Sequence, residues 1–266
     1  MTIALKVESL TASVDDKQIL HELDLEISFG EVHAIMGPNG SGKSTLCHVL
    51  AGKSGYEVSG SAHLDGRELL SLDVDERSRA GILLSFQYPT QVPGVRLDEF
   101  MLEAADERGI DAAEARERVA RQSKRFDVEP FLERSLNDEL SGGEQKRSEI
   151  FQMAVLEPKV ALLDEIDSGL DIDAVKQVAE AVEEMRSPDL AVLIITHYSR
   201  ILRYMTPDRI HVMIDGQIVD SGGSELAEEL EEGGYDSVRK RLGISAATEE
   251  PAIKPADFFT ETPFDL

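Results

Sequence analysis

The sequence predicts an α/β fold organised around a parallel sheet, and three observations predict it. "VALLD" and "AVLIITH" are continuous apolar runs of the kind found in strands buried on both faces. Helical periodicity in "DAVKQVAEAVEEM" lies between them and completes a βαβ unit. A glycine-rich segment, "GPNGSGKST" at residues 37–45, sits between another apolar strand and a helix.

Taken in order, residues 3–35 alternate apolar and polar positions in "ALKVESL", "LDLEIS" and "EVHAIM", with Gly30 turning the chain between the last two, which reads as β-structure. The glycine-rich loop leads into a helix ending near Gly52, and "GSAHLDGREL" reads as a short hairpin returning to the sheet. From about residue 96 to 157 the pattern is helical, with charged faces in "LDEFMLEAADERG" and "DAAEARERVARQSKRF". The βαβ unit follows, and then "RIHVMIDGQIVDSG", a terminal hairpin turning at Asp215-Gly216. Residues 244–266 are rich in Pro, Thr and acids with scattered Phe, the composition of a flexible tail.

Bulk properties narrow the class. A chain of 266 residues buries one substantial core, or one core plus a smaller lobe. No apolar stretch approaches the ~18 residues a bilayer requires, so no direct membrane insertion is expected. The N-terminal "MTIALKVESL" has no basic segment ahead of a long apolar run, so no secretory signal is expected either. The single cysteine, Cys47, demands no oxidising compartment, and a cytoplasmic location is expected. Within "KSTLCHVLAG" it reads as a small buried side chain.

Charge is the extreme feature: 27 Lys plus Arg face 52 Asp plus Glu, a formal net charge of −25. Such a surface repels nucleic acid and anionic lipid, so no nucleic-acid partner is expected. Two readings remain, adaptation to a high-salt cytoplasm and an ordinary acidic enzyme with an acidic tail. Stability measured from low to molar KCl separates them. It rises steeply under the first and stays flat under the second.

The motifs carry phosphate chemistry. In G-x-x-x-x-G-K-[ST], Gly37, Gly40 and Gly42 let the backbone wrap phosphates and turn successive N–H groups inward. The next helix adds its positive N-terminal dipole. The whole loop, Gly37, Pro38, Asn39, Gly40, Ser41, Gly42, Lys43, Ser44 and Thr45, is thereby the candidate nucleotide cradle. Lys43 reaches the β- and γ-phosphates, and the Ser44 hydroxyl completes a Mg2+ shell already containing phosphate oxygens and water. Asp164 ends the "VALLD" strand, where α/β proteins bind ligands, and should hold the same Mg2+ through water. Glu165 is the candidate general base. Ser141-Gly142-Gly143 is a second phosphate-friendly turn, opening the helix "GEQKRSEIFQMAVL". With one P-loop already present, it must serve another site, and a symmetric head-to-tail pair places it on the partner's nucleotide.

P-loop, Asp164-Glu165 and "LSGGEQKR" together resemble the ATP-binding cassette (ABC) ATPases over about residues 3–243. The resemblance implies a RecA-like nucleotide-binding core, an antiparallel β-subdomain and an inserted α-helical subdomain, with ATP and Mg2+ as ligands. The expected division is an ATPase domain at 1–243, its core at 1–87 and 159–243 and its helical subdomain at 88–158, followed by the acidic tail. Gln87 in "LLSFQYPT" then resembles the Q-loop glutamine, a catalytic and Mg2+-sensing position. Ser168 to Asp171 resembles the D-loop at the nucleotide-sandwich interface, and His197 in "IITHY" the switch histidine. One position departs: Val14 stands where many transporter ATPases stack adenine on an aromatic ring, a loss of ~1–3 kcal/mol of stacking.

Transporter ATPases usually follow the Asp-Glu pair with a Pro-Thr-type turn, where this chain has Ile166-Asp167. "DEIDSGLDID", "QYPTQVPGV", "FQMAVLEP" and "ELEEGGYD" are similar to the SufC-type ATPases of the SUF iron–sulfur cluster assembly system, Ser237 being one departure. That implies soluble SufB- and SufD-type scaffold partners, docked near Tyr88, Pro89 and Pro93 to Val95, and a second copy of the chain in the ATP state. Two other readings stay open, the ATP-binding subunit of a membrane transporter and a nucleotide-gated clamp. A further expectation is that a cation on the helix opened by Ser141-Gly142-Gly143, Lys146, holds Glu165 off the γ-phosphate at rest.

Overall fold

A computed structural model describes residues 2–87, 89–138, 140–196 and 199–244. Tyr88, His197 and the tail from residue 245 onward lie outside the described residues.

Strands β1 (Ile3–Val14) and β2 (Lys17–Ser28) pair antiparallel, and β3 (Val32–Met36) enters a different sheet. Helix α1 (Lys43–Ala51) follows the glycine loop, then β4 (Glu57–Leu64), β5 (Arg67–Glu68), α2 (Val74–Ala80) and β6 (Ile82–Ser85). The helical segment contains β7 (Val92–Arg96), α3 (Leu97–Glu107), α4 (Ala112–Arg125), β8 (Ser135–Leu136) and α5 (Gly142–Leu156). The chain closes with β9 (Val160–Asp164), α6 (Ile172–Glu184), β10 (Ala191–Thr196), β11 (Arg209–Ile214), β12 (Gln217–Gly222) and α7 (Ser224–Leu242).

The six-stranded sheet runs β12-β11-β3-β10-β9-β6, parallel except for the terminal hairpin β11–β12. Every residue of β3, β9 and β10 is buried, which is why those segments read as unbroken apolar runs. The second sheet, β2-β1-β4-β5, is antiparallel, and β2 alternates exposed and buried positions over Leu23 to Ile27. The α/β class, the parallel core and the antiparallel sheet are therefore as the sequence predicts.

Three apolar clusters hold the elements. One packs α3, α4 and α5 together with α6 and one side of the parallel sheet, through Phe131, Phe151, Val178 and Ile194. A second joins β1, β2 and α1 to the opposite side, through Leu5, Ile27, Leu50 and Leu193. The third seats α7 on β11, through Leu226, Leu230 and Val238. Cys47 is fully buried in the second cluster, and burial pushes its thiol pKa well up. Among the described residues no helix is long and apolar enough to cross a membrane.

A buried polar chain crosses the parallel sheet. His33 on β3 and His211 on β11 face each other, with His211 Nε2 3.0 Å from His33 Nδ1. Ser221 Oγ lies 2.7 Å from His211 Nδ1, and Glu31 lies 3.3 Å from His33 Nε2. One tautomer pair satisfies all of it with both rings neutral: Ser221 donates to His211, His211 to His33, and His33 to Glu31. Burial holds both histidines below the ordinary pKa, His211 at about 3.

Candidate active site

The loop between β3 and α1 is shaped by what lies under it. A Cβ on Gly37 would meet the Met213 carbonyl oxygen at 2.2 Å and Ser41 Oγ at 2.6 Å, so the loop is pressed onto β11. The β11–β12 turn is wedged in turn against β2. Gly216 N–H donates to the Ser41 carbonyl at 2.9 Å, and its own carbonyl accepts from His21 N–H at 3.0 Å. A Cβ on Gly216, where φ is +76°, would stand 2.0 Å from the Ile19 carbonyl. Tyr235 on α7 braces the loop from behind, its hydroxyl meeting the Gly37 N–H.

Helix α1 begins at Gly42 with no side-chain cap and no acidic residue in its first turn, so its orphan N–H groups face an anion site. Lys43 is buried, and its Nζ donates to the carbonyls of Gly37 at 2.8 Å and Pro38 at 3.0 Å. Its pKa is lowered by burial, with Glu165 and Asp164 acting against the fall.

Across the loop, Ser44 Oγ donates to Asp164 Oδ1 at 3.0 Å. Asp164 is 1 % exposed, and burial raises its pKa in spite of that hydrogen bond. Glu165 follows in a left-handed backbone conformation (φ 48°), its N–H donating to the Ile195 carbonyl at 2.9 Å. Gln87 Nε2 donates to Glu165 Oε2, so the two residues meet. A cavity of about 620 Å3 is lined by Asn39, Gly40, Gly42, Lys43, Ser44, Thr45, Gln87 and Glu165.

The residues fit a magnesium–nucleotide complex. A hydroxyl and a carboxylate are juxtaposed for a hard cation, and two acids beside one lysine leave the site short of positive charge. Among the described residues no group of three or more His, Cys, Asp or Glu is arranged to hold a metal ion. Phosphate oxygens and water would therefore complete a shell around Ser44 and Asp164.

Some predicted residues stand elsewhere. Ser141, Gly142 and Gly143 do not line this cavity. Ser141 instead closes a capping box on α5, accepting from Glu144 N–H at 3.3 Å while Glu144 Oε2 accepts from Ser141 N–H at 2.8 Å. Asp171 caps α6, accepting from Ala174 N–H at 2.8 Å. Lys17 and Ile19 from β2 also line the cavity.

Lys146 also departs from expectation. Its Nζ meets Glu149 Oε2 at 2.7 Å and donates to the Phe86 carbonyl at 3.1 Å, while Glu165 is met by Gln87. The ammonium is drawn to a carboxylate one turn along its own helix, and both side chains are buried, at 5 % and 9 % exposed. Burial still raises the Glu149 pKa. Lys146→Ala should accordingly strand a buried carboxylate and lower stability by about 3–5 kcal/mol. Urea unfolding measures it, and the Lys146→Ala, Glu149→Gln double variant should recover most of the loss.

A glycine loop pressed onto a sheet and feeding an uncapped helix, opposite a strand-end carboxylate, is the arrangement of a P-loop nucleoside triphosphatase. Comparison with known proteins narrows the class. The ABC transporter family model matches residues 20–168. A probable ATP-dependent transporter of Synechocystis sp. is 52% identical over 247 residues, covering 90% of this chain and 96% of its own. Vegetative protein 296 of Bacillus subtilis is 45% identical over 251 residues, covering 92% and 96%. The solved ADP form of MJ1267, an ATP-binding cassette of an ABC transporter, superposes with a TM-score of 0.74 at 25% identity, over 92% of this chain and all of that one. The chain belongs to the ABC transporter ATPase family. It binds ATP with Mg2+ and hydrolyses it, and cassettes of this family pair and work with other subunits.

Proposed function

We propose that this chain is the ATP-hydrolysing subunit of a SUF-type iron–sulfur cluster assembly complex, moving SufB- and SufD-type scaffolds by ATP-driven pairing. The observation that carries the reading is the segment after Glu165. Asp167, in place of the Pro-Thr-type turn of transporter ATPases, is fully buried and accepts from Thr196 Oγ1 at 3.2 and 3.3 Å. A buried, partnered carboxylate at that position ties the D-loop to the end of β10.

In this reading Lys43 and the loop N–H groups hold the phosphates, and Ser44, Asp164 and Gln87 serve the Mg2+ shell. Glu165 accepts the proton of the attacking water, and His197 meets the γ-phosphate. A second copy supplies Ser141 to Gly143 and the D-loop around Asp171 to the sandwiched nucleotide, and Ser141 exchanges its capping bond for a phosphate. Positioning and electrostatics carry phosphoryl transfer, so an isolated copy is slow. Residues 88–158 act as the docking lobe, and the exposure of Pro93, Gly94 and Val95 on β7 supports contact there.

The names of the relatives favour a second reading, a transporter's ATP-binding subunit. Coexpression decides between them. ATPase activity should rise strongly with a SufB–SufD-type scaffold that copurifies with the chain. Retention of a membrane permease with no scaffold stimulation would replace the first reading with the second.

A further inference from the structure

A second cavity, of about 690 Å3, is lined by α2, β6, α3 and α5 and shares no residue with the nucleotide site. Ile82, Leu84, Phe100 and Leu156 give it an apolar lining. Two exposed large hydrophobics, Val74 (57 %) and Phe86 (44 %), line it as well. Apolar surface left in this way on a soluble chain marks a binding face.

Its charges run against the rest of the molecule. A chain of formal net charge −25 lines this groove with Lys53, Arg77, Arg108 and one carboxylate, Glu149, which Lys146 already neutralises at 2.7 Å. Arg77 is committed to the carbonyls of Val49, Leu50, Leu70 and Leu72. Among the described residues Arg108 donates only to neutral acceptors, the carbonyls of Ile82 at 2.9 Å and Leu156 at 3.3 Å and Ser78 Oγ at 3.3 Å. Desolvation alone pulls its pKa down to about 10. A guanidinium held this way gains most from an incoming carboxylate.

The chain itself carries a segment of matching chemistry. Residues 245–266 contain Phe258, Phe259 and Phe264, and acids at Glu249, Glu250, Asp257, Glu261 and Asp265 against the single base Lys254. Length across the sheet is sufficient. From Ile244, the last described residue before it, an extended chain reaches Phe258 over ~45 Å. Helix α7 packs on β11, and four strand spacings separate β11 from β6 at the groove, ~19 Å.

We propose that this groove binds the chain's own acidic, phenylalanine-bearing segment 245–266, with Phe258 and Phe259 on the apolar lining and the flanking carboxylates of Asp257 and Glu261 on Arg108. The groove adjoins the face assigned above to scaffold docking, and the binding proposed here does not rest on that reading.

Hydrogen–deuterium exchange on the full chain tests the binding without any scaffold. In the Phe258→Ser, Phe259→Ser double variant, amides of α2 and α3 should exchange at least about 5-fold faster than in the wild type, with β9 and β10 unchanged. Synthetic peptide 245–266, added to the double variant, should restore protection. Equal exchange in wild type and double variant overturns the proposal. So does protection that follows protein concentration and ignores the substitutions, which would mark a second copy as the occupant. Failure of the docking reading shows separately, as no scaffold retained.

Discussion

Glu165→Gln should reduce ATP turnover by about 10²–10⁴-fold, the range lost when a general base is removed, while leaving ATP binding intact. The substitution keeps the volume and one oxygen of the side chain and takes away its basicity. It also keeps the backbone geometry that aims the group. Glu165 sits at φ 48° with its N–H on the Ile195 carbonyl, bonds that do not depend on the side chain's charge. In the proposed reading the phosphate contacts lie at Lys43 and the loop, so affinity and turnover should separate. Steady-state rates with a copurified partner, beside binding of a fluorescent ATP analogue, read the two quantities. Turnover within about threefold of wild type would remove Glu165 from the role of base and leave it as a structural partner of Gln87.

Acid should destabilise the fold through the two sheet histidines. Both are nearly inaccessible, His33 at 3 % and His211 at 5 % exposed, and both have folded-state pKa values below the unfolded value of ~6.5. Above that pH they are neutral in either state and contribute no slope. As pH falls below it, the unfolded chain takes up protons that the folded chain refuses, and stability declines until the folded pKa is reached, about 3 for His211. Between about pH 6.5 and 4.5 His211 alone accounts for about 2 kcal/mol, with His33 adding in the same direction. The adjacent cation Arg209 sharpens the loss, and Glu31 and Asp208 oppose it at His33. Urea unfolding across this range isolates the effect by difference. His211→Asn should flatten the slope relative to wild type, and parallel curves would exclude the pair as the cause.

Much of this was legible in the sequence. "VALLD" and "AVLIITH" lie in the middle of a six-stranded sheet because strands covered on both faces need apolar residues at every position. The glycine loop, Lys43, Ser44 and Asp164 converge because a strand and the helix after it fix the loop, and a neighbouring parallel strand end fixes the carboxylate.

Other features carried weaker signals. β6 is only "ILLS", too short to separate from a loop, and α2 is a polar single stretch between Asp73 and Gly81. The apolar spacing of α7 is interrupted at Gly233-Gly234, where the helix kinks, and Tyr235 just beyond reaches Gly37. The spacing of Lys146 and Glu149, three residues apart on one helix, offered the ion pair directly. His33 and His211 stand 178 residues apart, and only strand register brings them together. Lys17 and Ile19 line the nucleotide cavity because of how β2 lies over the glycine loop, a placement that no local sequence pattern carries.

The glycine loop occupies the first fifth of the chain, yet the surface it rests on is Met213 and the turn at Gly216. During synthesis the loop emerges long before its support. Until the ribosome has released the hairpin that ends at Gly222, the loop has no Met213 carbonyl beneath it and no Gly216 N–H for the Ser41 carbonyl. A nascent chain shorter than this holds the phosphate-binding sequence without its shape. Nucleotide capture thereby becomes a late event of folding, coupled to near-completion of the domain.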